Sequence, residues 1–478
     1  MTDSRQCDVL IIGGGPGGTP AALALAAKGK RVILVEAGQG LGGTCLFEGC
    51  IPSKIFRETA ARRRAAREMS AYGLMAKSDA PPPVDWNTVL ARKEKILTMR
   101  SQAALAKARQ IPGLEVIFGR ARLTGPRQAV IETEDGALQV QFAKAIISTG
   151  SVPRALPIEG ADLPGVLDSQ GLVGLKEIPR SLTLIGGGPI GVEMAQIFSM
   201  LGTQVTLLEA APRILGPVDS ELAGLLQKRM EDDGITVLTG VRIEAIRQVG
   251  DELVVFLHHD GKEREVAAQR VAIAAGRVPN VEGLGLQTTA IAHDAHGIKV
   301  NGHLETDEPG IYATGDVTGP PMFAHWATAQ ALAVAAHMLG MPAPFPKPEH
   351  NSAVIFSSPE LGMAGLTEEA ARAAGLDVAV AEYDYKVDAR AQISLGGFGR
   401  LRIVHERASH RIVGIHALVE GASELMGEAA LAVRLGLRLE DVAQAIHPHP
   451  TLTESFAFAA RAALMQKGAS GARPDGKN

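Results

Sequence analysis

One arrangement occurs twice in this chain. An apolar strand runs into Gly-x-Gly-x-x-Gly, a helix follows, and a second apolar strand ends in a glutamate. In the first copy the strand is Cys7–Ile12, the glycines are Gly13, Gly15 and Gly18, the helix covers about Pro20–Lys28, and the second strand is Arg31–Glu36. In the second copy these are Ser181–Ile185, then Gly186, Gly188 and Gly191, then Val192–Met200 and Gln204–Glu209. The first glycine of such a loop permits the tight turn, the second lets backbone approach a pyrophosphate, and the third lets helix pack on strand. The free N–H groups at the helix start then face the anion. A single loop of this kind is also compatible with a mere glycine-rich turn. Two copies, each between strand and helix and each followed by a strand-end acid, specify two dinucleotide sites in an α/β fold. A carboxylate at Glu36 or Glu209 accepts from ribose hydroxyls and repels a 2′-phosphate, so Glu209 favours NAD over NADP. The plainer alternative for Glu209 is a solvated charge at a strand end.

The length, 478 residues, suits about three domains. With 21% charged residues and a net charge of −4, neither a nucleic-acid nor a membrane-surface role is favoured. No apolar run approaches the ~18 residues of a membrane span. Val9–Ile12 is too short for a signal-peptide core, and no Arg-rich leader precedes it, so a cytoplasmic location is expected. Only Cys7, Cys45 and Cys50 are cysteines. That usage does not fit a secreted disulfide scaffold. Cys7, in the first strand, is expected to be a buried structural thiol.

Between the repeats, a basic amphipathic helix is expected after Pro52, a loop or edge at Pro81–Pro83, and strands at Glu115–Phe118, Ala129–Glu132 and Ala143–Ser148. Alternating strands are expected over Ile235–Ile273, a long helix over Ala324–Leu339, antiparallel strands at Leu401–Val404 and Arg411–His416, and a helix over Ala422–Leu435. The polar segment Gly468–Asn478 reads as a flexible tail.

The chemistry-bearing segment is Gly42-Gly43-Thr44-Cys45-Leu46-Phe47-Glu48-Gly49-Cys50-Ile51-Pro52-Ser53-Lys54. Cysteines at this spacing can close a small disulfide loop. Pro52 suits a helix first turn, which places Cys50 at a helix N-terminus, where the dipole favours thiolate. Such a pair is poised for two-electron exchange. Zinc would require two further ligands nearby, and no metal set is expected. Near the C-terminus, His447-Pro448-His449-Pro450-Thr451-Leu452-Thr453-Glu454 offers a histidine with a carboxylate at hand, the makings of an oriented general base. Taken alone, a satisfied structural histidine is the commoner meaning of such a residue.

Together these motifs resemble the pyridine nucleotide-disulfide oxidoreductases of the glutathione reductase type, and within them the dihydrolipoyl dehydrogenase group. The likeness runs from Val9 to about Phe458, with support from Ala275-Gly276-Arg277, Ala313-Thr314-Gly315-Asp316, Pro359-Glu360 and Gly365–Glu368. It implies two Rossmann-like dinucleotide-binding domains plus a C-terminal α+β dimerisation domain. The expected division is 1–150 with 277–348 for FAD, 151–276 for NAD, 349–467 for dimerisation, and 468–478 as tail. It implies FAD contacts at Gly13, Gly15, Gly18, Glu36, Thr44, Lys54, Thr149, Gly150, Asp316 and Ala324. It implies NAD contacts at Gly186, Gly188, Gly191, Glu193, Glu209 and Gly276. Lys54 would pair with Glu193 beside the nicotinamide; a surface salt bridge is the plainer alternative. Cys50 would face the flavin, Cys45 would exchange with substrate, and His449, oriented by Glu454, would reach the cysteines of a second copy. The implied reaction oxidises a protein-bound dihydrolipoyl group, or a small dithiol, with NAD in an obligate homodimer.

Two departures stand out. Phe47-Glu48 replaces the group's usual Asn-Val between the cysteines, and Trp326 replaces lysine in an Ala-His-Lys-Ala segment. An added carboxylate beside the dithiol is expected to raise its pKa or repel acidic substrates. A disulfide, quinone or metal reductase of the same family is the alternative. A redox-silent flavin-bound scaffold subunit is the rival from another class, and the intact Cys45, Cys50, His449 and Glu454 argue against it.

Overall fold

The computed structural model describes residues 4–74, 81–342 and 344–470. Strands β1 (Ser4–Ile12) and β2 (Val32–Glu36) pair in parallel, with Val9 opposite Val32 and Ile12 opposite Val35. A parallel strand covered on both faces needs an unbroken apolar run. Val9–Ile12 and Val32–Val35 supply it, and every one of these side chains is buried. Helix α1 (Thr19–Ala26) covers one face through Ala21, Ala22 and Leu25. Burying Leu25 completely is worth roughly 1.5–3 kcal/mol.

Two short turns further on lie α2 (Gly43–Phe47) and α3 (Cys50–Arg67), then the long α4 (Trp86–Arg109) and β3 (Leu114–Phe118) beside β2. Strands β4 (Arg120–Gly125), β5 (Gln128–Thr133) and β6 (Gly136–Ile147) form an antiparallel meander whose last strand rejoins β1 in parallel. Sequence patterning does not find α2 or α4. Helix α4 buries only Trp86, Val89, Leu97, Ser101 and Ala108, too sparse for an apolar stripe. It is held by good helix formers and by Asp85, which caps it by accepting from the Thr88 N–H at 3.2 Å.

The second repeat follows β7 (Ser151–Pro153), β8 (Val166–Leu167) and α5 (Ser169–Gly174). It comprises β9 (Ser181–Ile185), α6 (Pro189–Leu201) and β10 (Gln204–Glu209), followed by α7 (Ser220–Asp232) and β11 (Thr236–Thr239). Helix α7 is likewise absent from the sequence reading. The antiparallel strands β12 (Arg242–Val249), β13 (Glu252–His259) and β14 (Lys262–Ala268) precede β15 (Arg270–Ile273), which completes a parallel sheet ordered β11-β10-β9-β15-β8. Strand β16 (Arg277–Pro279) pairs antiparallel with β7, so the two chain crossings between the repeats lie side by side.

The chain then returns to the first sheet. A small hairpin, β17 (His293–Asp294) and β18 (Gly297–Ile298), leads to β19 (Ile311–Ala313), which pairs with β6, and to α8 (Ala324–Met338). The last third is an antiparallel sheet ordered β20-β21-β24-β23-β22. Its strands are β20 (Ser352–Ile355), β21 (Leu361–Gly365), β22 (Val378–Asp384), β23 (Arg400–Glu406) and β24 (Ile412–Leu418). With it come α9 (Glu368–Ala373), α10 (Ala389–Ile393), α11 (Ala422–Leu435), α12 (Leu439–Gln444) and α13 (Glu454–Ser470). Helix α13 therefore continues into the segment whose composition suggested a flexible tail; residues 471–478 lie outside the described residues. Buried Arg402 on β23 pairs with Asp219 at 3.1 Å ahead of α7, and with Glu368 and Glu382, which ties this sheet to the second repeat. Among the described residues, no helix is long and apolar enough to cross a membrane.

Candidate active site

The two glycine loops are near copies. In the first, the Glu36 carboxylate accepts from the N–H groups of Gly14 at 2.7 Å and Gly38 at 2.6 Å. In the second, Glu209 accepts from Gly187 at 2.5 Å and Ala211 at 2.7 Å. A Cβ on Gly18 would lie 1.9 Å from the Gly13 carbonyl oxygen, and one on Gly191 1.8 Å from that of Gly186. Those glycines are required for the protein's own packing. Gly15 and Gly188 are different. A Cβ on Gly15 would meet only the Gly43 Cα at 3.7 Å, and one on Gly188 would meet nothing within 4 Å. The space in front of both is kept free, as an approaching pyrophosphate requires.

A cavity of about 1500 Å³ begins at Gly13, Gly15 and Glu36 and passes Thr44, Cys45, Cys50 and Lys54. It continues along Thr149, Gly150, Asp316 and Ala324 to Glu193 on α6. The residues expected to hold FAD thus line one space, save Gly18, which packs behind the loop. Asp316 accepts from Ser151 Oγ at 2.6 Å, and Ser151 Oγ accepts from Arg277 Nε at 2.7 Å. Thr149 Oγ1 donates to the Asn280 carbonyl at 2.7 Å, which fixes the turn before β7. Ala324 opens α8, whose first turn has no side-chain cap and presents free amides to the cavity. Gly186, Gly188 and Glu209 lie outside the cavity lining, at a more open surface. The dimensions and the donor set fit a dinucleotide along the first loop, and a second whose reactive end reaches Glu193.

Cys45 lies on α2 and Cys50 is the first residue of α3; both are free thiols. The Cys45 thiol donates to Cys50, and that hydrogen bond, with the Lys54 ammonium, holds Cys50 down at about 7 against the opposing effects of burial and Glu193. The same hydrogen bond and burial push Cys45 far up. Lys54 Nζ meets Glu193 Oε2 at 2.7 Å, with Glu193 buried, so the pair bridges α3 and α6 inside the cleft and is no surface contact.

Glu48 lines the cavity beside the dithiol and is held there by α5. Its carboxylate accepts from Gln170 Nε2 on α5 at 2.6 Å, and its field is felt by half-buried Arg277. The leading causes that move Cys50 are Cys45, burial, Lys54, Glu193 and its own backbone N–H at the start of α3. Trp326 is buried and does not line the cavity, although its neighbours Ala324, His325 and Ala327 do. Cys7 is buried, with its thiol pushed up to about 11 by desolvation.

His449 Nδ1 stands 3.1 Å from both oxygens of Glu454, which also accepts from the Thr451 N–H at 3.0 Å. Those contacts lower the Glu454 pKa, the Thr451 bond most. The structure does not bring this pair to the cysteines of its own chain. The His449 side chain is 73% exposed and is not part of the cavity wall. Residues that sequence reasoning left out of the site are Gln170, Ser151, Arg277 and Phe356. Of these only Arg277 carried a signal, the Ala275-Gly276-Arg277 motif.

Fold and site define an enzyme that couples a dithiol to two dinucleotides, and the comparisons agree. The chain belongs to the pyridine nucleotide-disulphide oxidoreductases, whose family model matches residues 7–331, with the family's dimerisation domain over 351–460. It is 36% identical to a dihydrolipoyl dehydrogenase of Thermus scotoductus, covering 97% of this chain and 98% of that one. It is 35% identical to one of Bacillus subtilis, over 93% and 96%. Among solved structures it is similar to the Cu(II) complex of the HOCl-induced flavoprotein disulfide reductase RclA from Escherichia coli (TM-score 0.86, 27% identity, covering 96% and 99%). It is also similar to LpdA from Mycobacterium tuberculosis (TM-score 0.87, 26% identity, covering 95% and 99%). The chain is therefore a flavin disulfide oxidoreductase working with FAD and NAD(H), and its dimerisation domain supports a homodimer.

Proposed function

We propose that this enzyme oxidises a protein-bound dihydrolipoyl group with NAD+, in the cytoplasm, as a homodimer with shared active sites. The observation that carries this reading is the asymmetry of the dithiol: Cys50 is poised near neutrality at the head of α3, while Cys45 stays protonated. Residues 1–150 with 277–348 hold FAD, 151–276 hold NAD, and 349–467 pair the subunits. In the disulfide form, His449 of the partner subunit takes a proton from the substrate dithiol. The substrate thiolate attacks Cys45 Sγ, the Cys45–Cys50 bond breaks, and Cys50 leaves as thiolate beside Lys54. The second substrate thiol displaces Cys45, which is reprotonated, and lipoyl disulfide departs. The electron pair then resides on the two cysteines. Flavin and NAD+ supply, when bound, the acceptors for that pair. Glu454 fixes the His449 tautomer and stabilises the imidazolium.

His449→Gln should lower dihydrolipoamide turnover by roughly 10²- to 10⁴-fold while flavin content is kept, the usual worth of a positioned base. Cys45→Ser and His449→Gln chains refolded together should recover activity, because half the sites of a heterodimer pair an intact Cys45 with an intact His449. Heterodimers without activity would overturn the shared site. A second reading is NADH-driven reduction of a disulfide, quinone or metal substrate. It is favoured by the cavity-facing Glu48 carboxylate and by the likeness to a Cu(II)-binding reductase. Faster NADH-driven Cu(II) reduction than dihydrolipoamide oxidation would decide for it.

A further inference from the structure

The Pro359-Glu360 segment of the C-terminal domain belongs to a loop that enters the redox centre. This loop, residues 356–360, joins β20 to β21 and packs against α3 and α6 together. Its Phe356 N–H donates to Glu193 Oε1 at 2.9 Å, while the other oxygen of that carboxylate holds Lys54 Nζ at 2.7 Å. The Lys54 ammonium stands 4.6 Å from the centre of the Phe356 ring. Lys54 is thus held from two sides, by a carboxylate and by an aromatic face, both oriented by the same residue. The loop is in turn anchored to α3. Arg57 Nε donates to the Phe356 carbonyl at 2.9 Å and its Nη2 to that of Ser357 at 3.1 Å. Arg57 also pairs with buried Glu360 at 2.9 Å, and Glu360 accepts from the Ser423 N–H at 2.9 Å. Arg64 Nη1 donates to Ser358 Oγ at 2.7 Å, and Gln196 on α6 bonds both polar groups of the Ser358 backbone.

We propose that Phe356 is a positioning residue of the redox centre: its ring and its N–H fix the Lys54–Glu193 pair, and through Lys54 they keep Cys50 in its thiolate form. The proposal deepens the dithiol reading above. A cation attracted to a ring face loses that attraction when the ring is removed, whatever the size of its replacement. Lys54 lies one helical turn after Cys50 on α3, so its mean position sets the field at the sulfur. The charged or titratable groups facing Cys50 are Cys45 from α2, Lys54 from α3, Glu193 from α6 and Arg277 from β16. Loosening Lys54 removes a stabilising charge and leaves the opposing Glu193, so Cys50 must titrate higher.

The test uses the full chain carrying Cys45→Ser, so that Cys50 is the accessible thiol and Cys7 stays buried. The rate of alkylation by iodoacetamide is measured against pH, in flavin-loaded and flavin-free protein. Phe356→Leu should move the midpoint upward by about 0.5–1 pH unit, roughly three- to tenfold less thiolate at neutral pH. Phe356→Tyr, which keeps the ring, should retain the parent profile. Phe356→Met provides a ring-free side chain of similar bulk should Phe356→Leu fail to fold, and must shift the midpoint likewise. Ring-free variants that fold and titrate like the parent would overturn the proposal. So would a Phe356→Tyr profile shifted as far as theirs. Loss of dihydrolipoamide turnover when the same Phe356 variants are made in the chain with Cys45 intact, with an unshifted Cys50 profile, would count against this inference alone. An unreactive Cys50 in the parent chain would instead count against the dithiol reading itself.

Discussion

The two glycine loops bond their strand-end glutamates alike, each carboxylate accepting from two N–H groups at 2.5–2.7 Å, yet their surroundings differ. The first is roofed. Leu41, Gly43, Ser148 and Thr314 crowd around Gly14–Gly17, and the cavity leads from there to the cysteines. The second is crowded at Gly187, by Ile214 at 2.9 Å, but nothing lies within 4 Å of a Cβ on Gly188, and Glu209 is outside the cavity. The same local motif therefore borders an enclosed cavity in one place and an open surface in the other. The distinction comes from the elements folded over the motif, not from the motif.

The sharpest way to break this comparison is a matched pair of substitutions. Neither Gly15 nor Gly188 has a protein neighbour that a Cβ would strike, so valine at either position should fold. Gly15→Val should give colourless protein that takes up no FAD. Gly188→Val should stay yellow but bind NADH roughly 10²-fold more weakly, about 2.8 kcal/mol. Equal loss of flavin in both, read from the visible spectrum, would show that the loops do not divide the cofactors.

A smaller effect is expected at the acids. Glu209 should give a preference for NADH over NADPH of roughly 10- to 100-fold, since a 2′-phosphate loses hydrogen bonds and meets a like charge. Glu209→Gln should narrow that ratio of kcat/KM, whereas Glu36→Gln should leave it unchanged and weaken flavin retention. Should Glu36→Gln change the coenzyme ratio, the two acids would not be separable.

The smallest effect is a titration. With Cys50 at about 7, the thiolate is present above that pH and is lost as pH falls through it. In two-electron-reduced enzyme, a long-wavelength band from the Cys50 thiolate beside oxidised flavin should be near half amplitude at about pH 7. A band of constant amplitude from about pH 5 to 9 would mean that Cys50 is not the titrating sulfur.

Much of the site is legible in the sequence because its parts are local. Gly13 to Glu36 is one strand–turn–helix–strand unit, and Cys45 and Cys50 are one turn apart. Helix α4 is not legible, since propensity and the Asp85 cap, rather than a stripe, hold it. The bond between Glu48 and Gln170 spans 122 positions, so the partner of that carboxylate on α5 could not be seen in the sequence.

By itself the sequence determined two dinucleotide-binding units, a redox-poised cysteine pair and an acid-backed histidine. Spacing over a few residues dictates which backbone N–H groups and side chains share a turn, and that chemistry travels with the segment. Only the tertiary structure decided which loop is roofed, that Phe356 and Glu193 grip Lys54 from separate domains, and that His449 is exposed outside the cavity of its own cysteines. Each of these follows from how the two repeats and the C-terminal sheet pack on one another, through a core that Phe56, Leu184 and Leu361 share. The contacts concerned join residues far apart in the chain, which no local periodicity encodes.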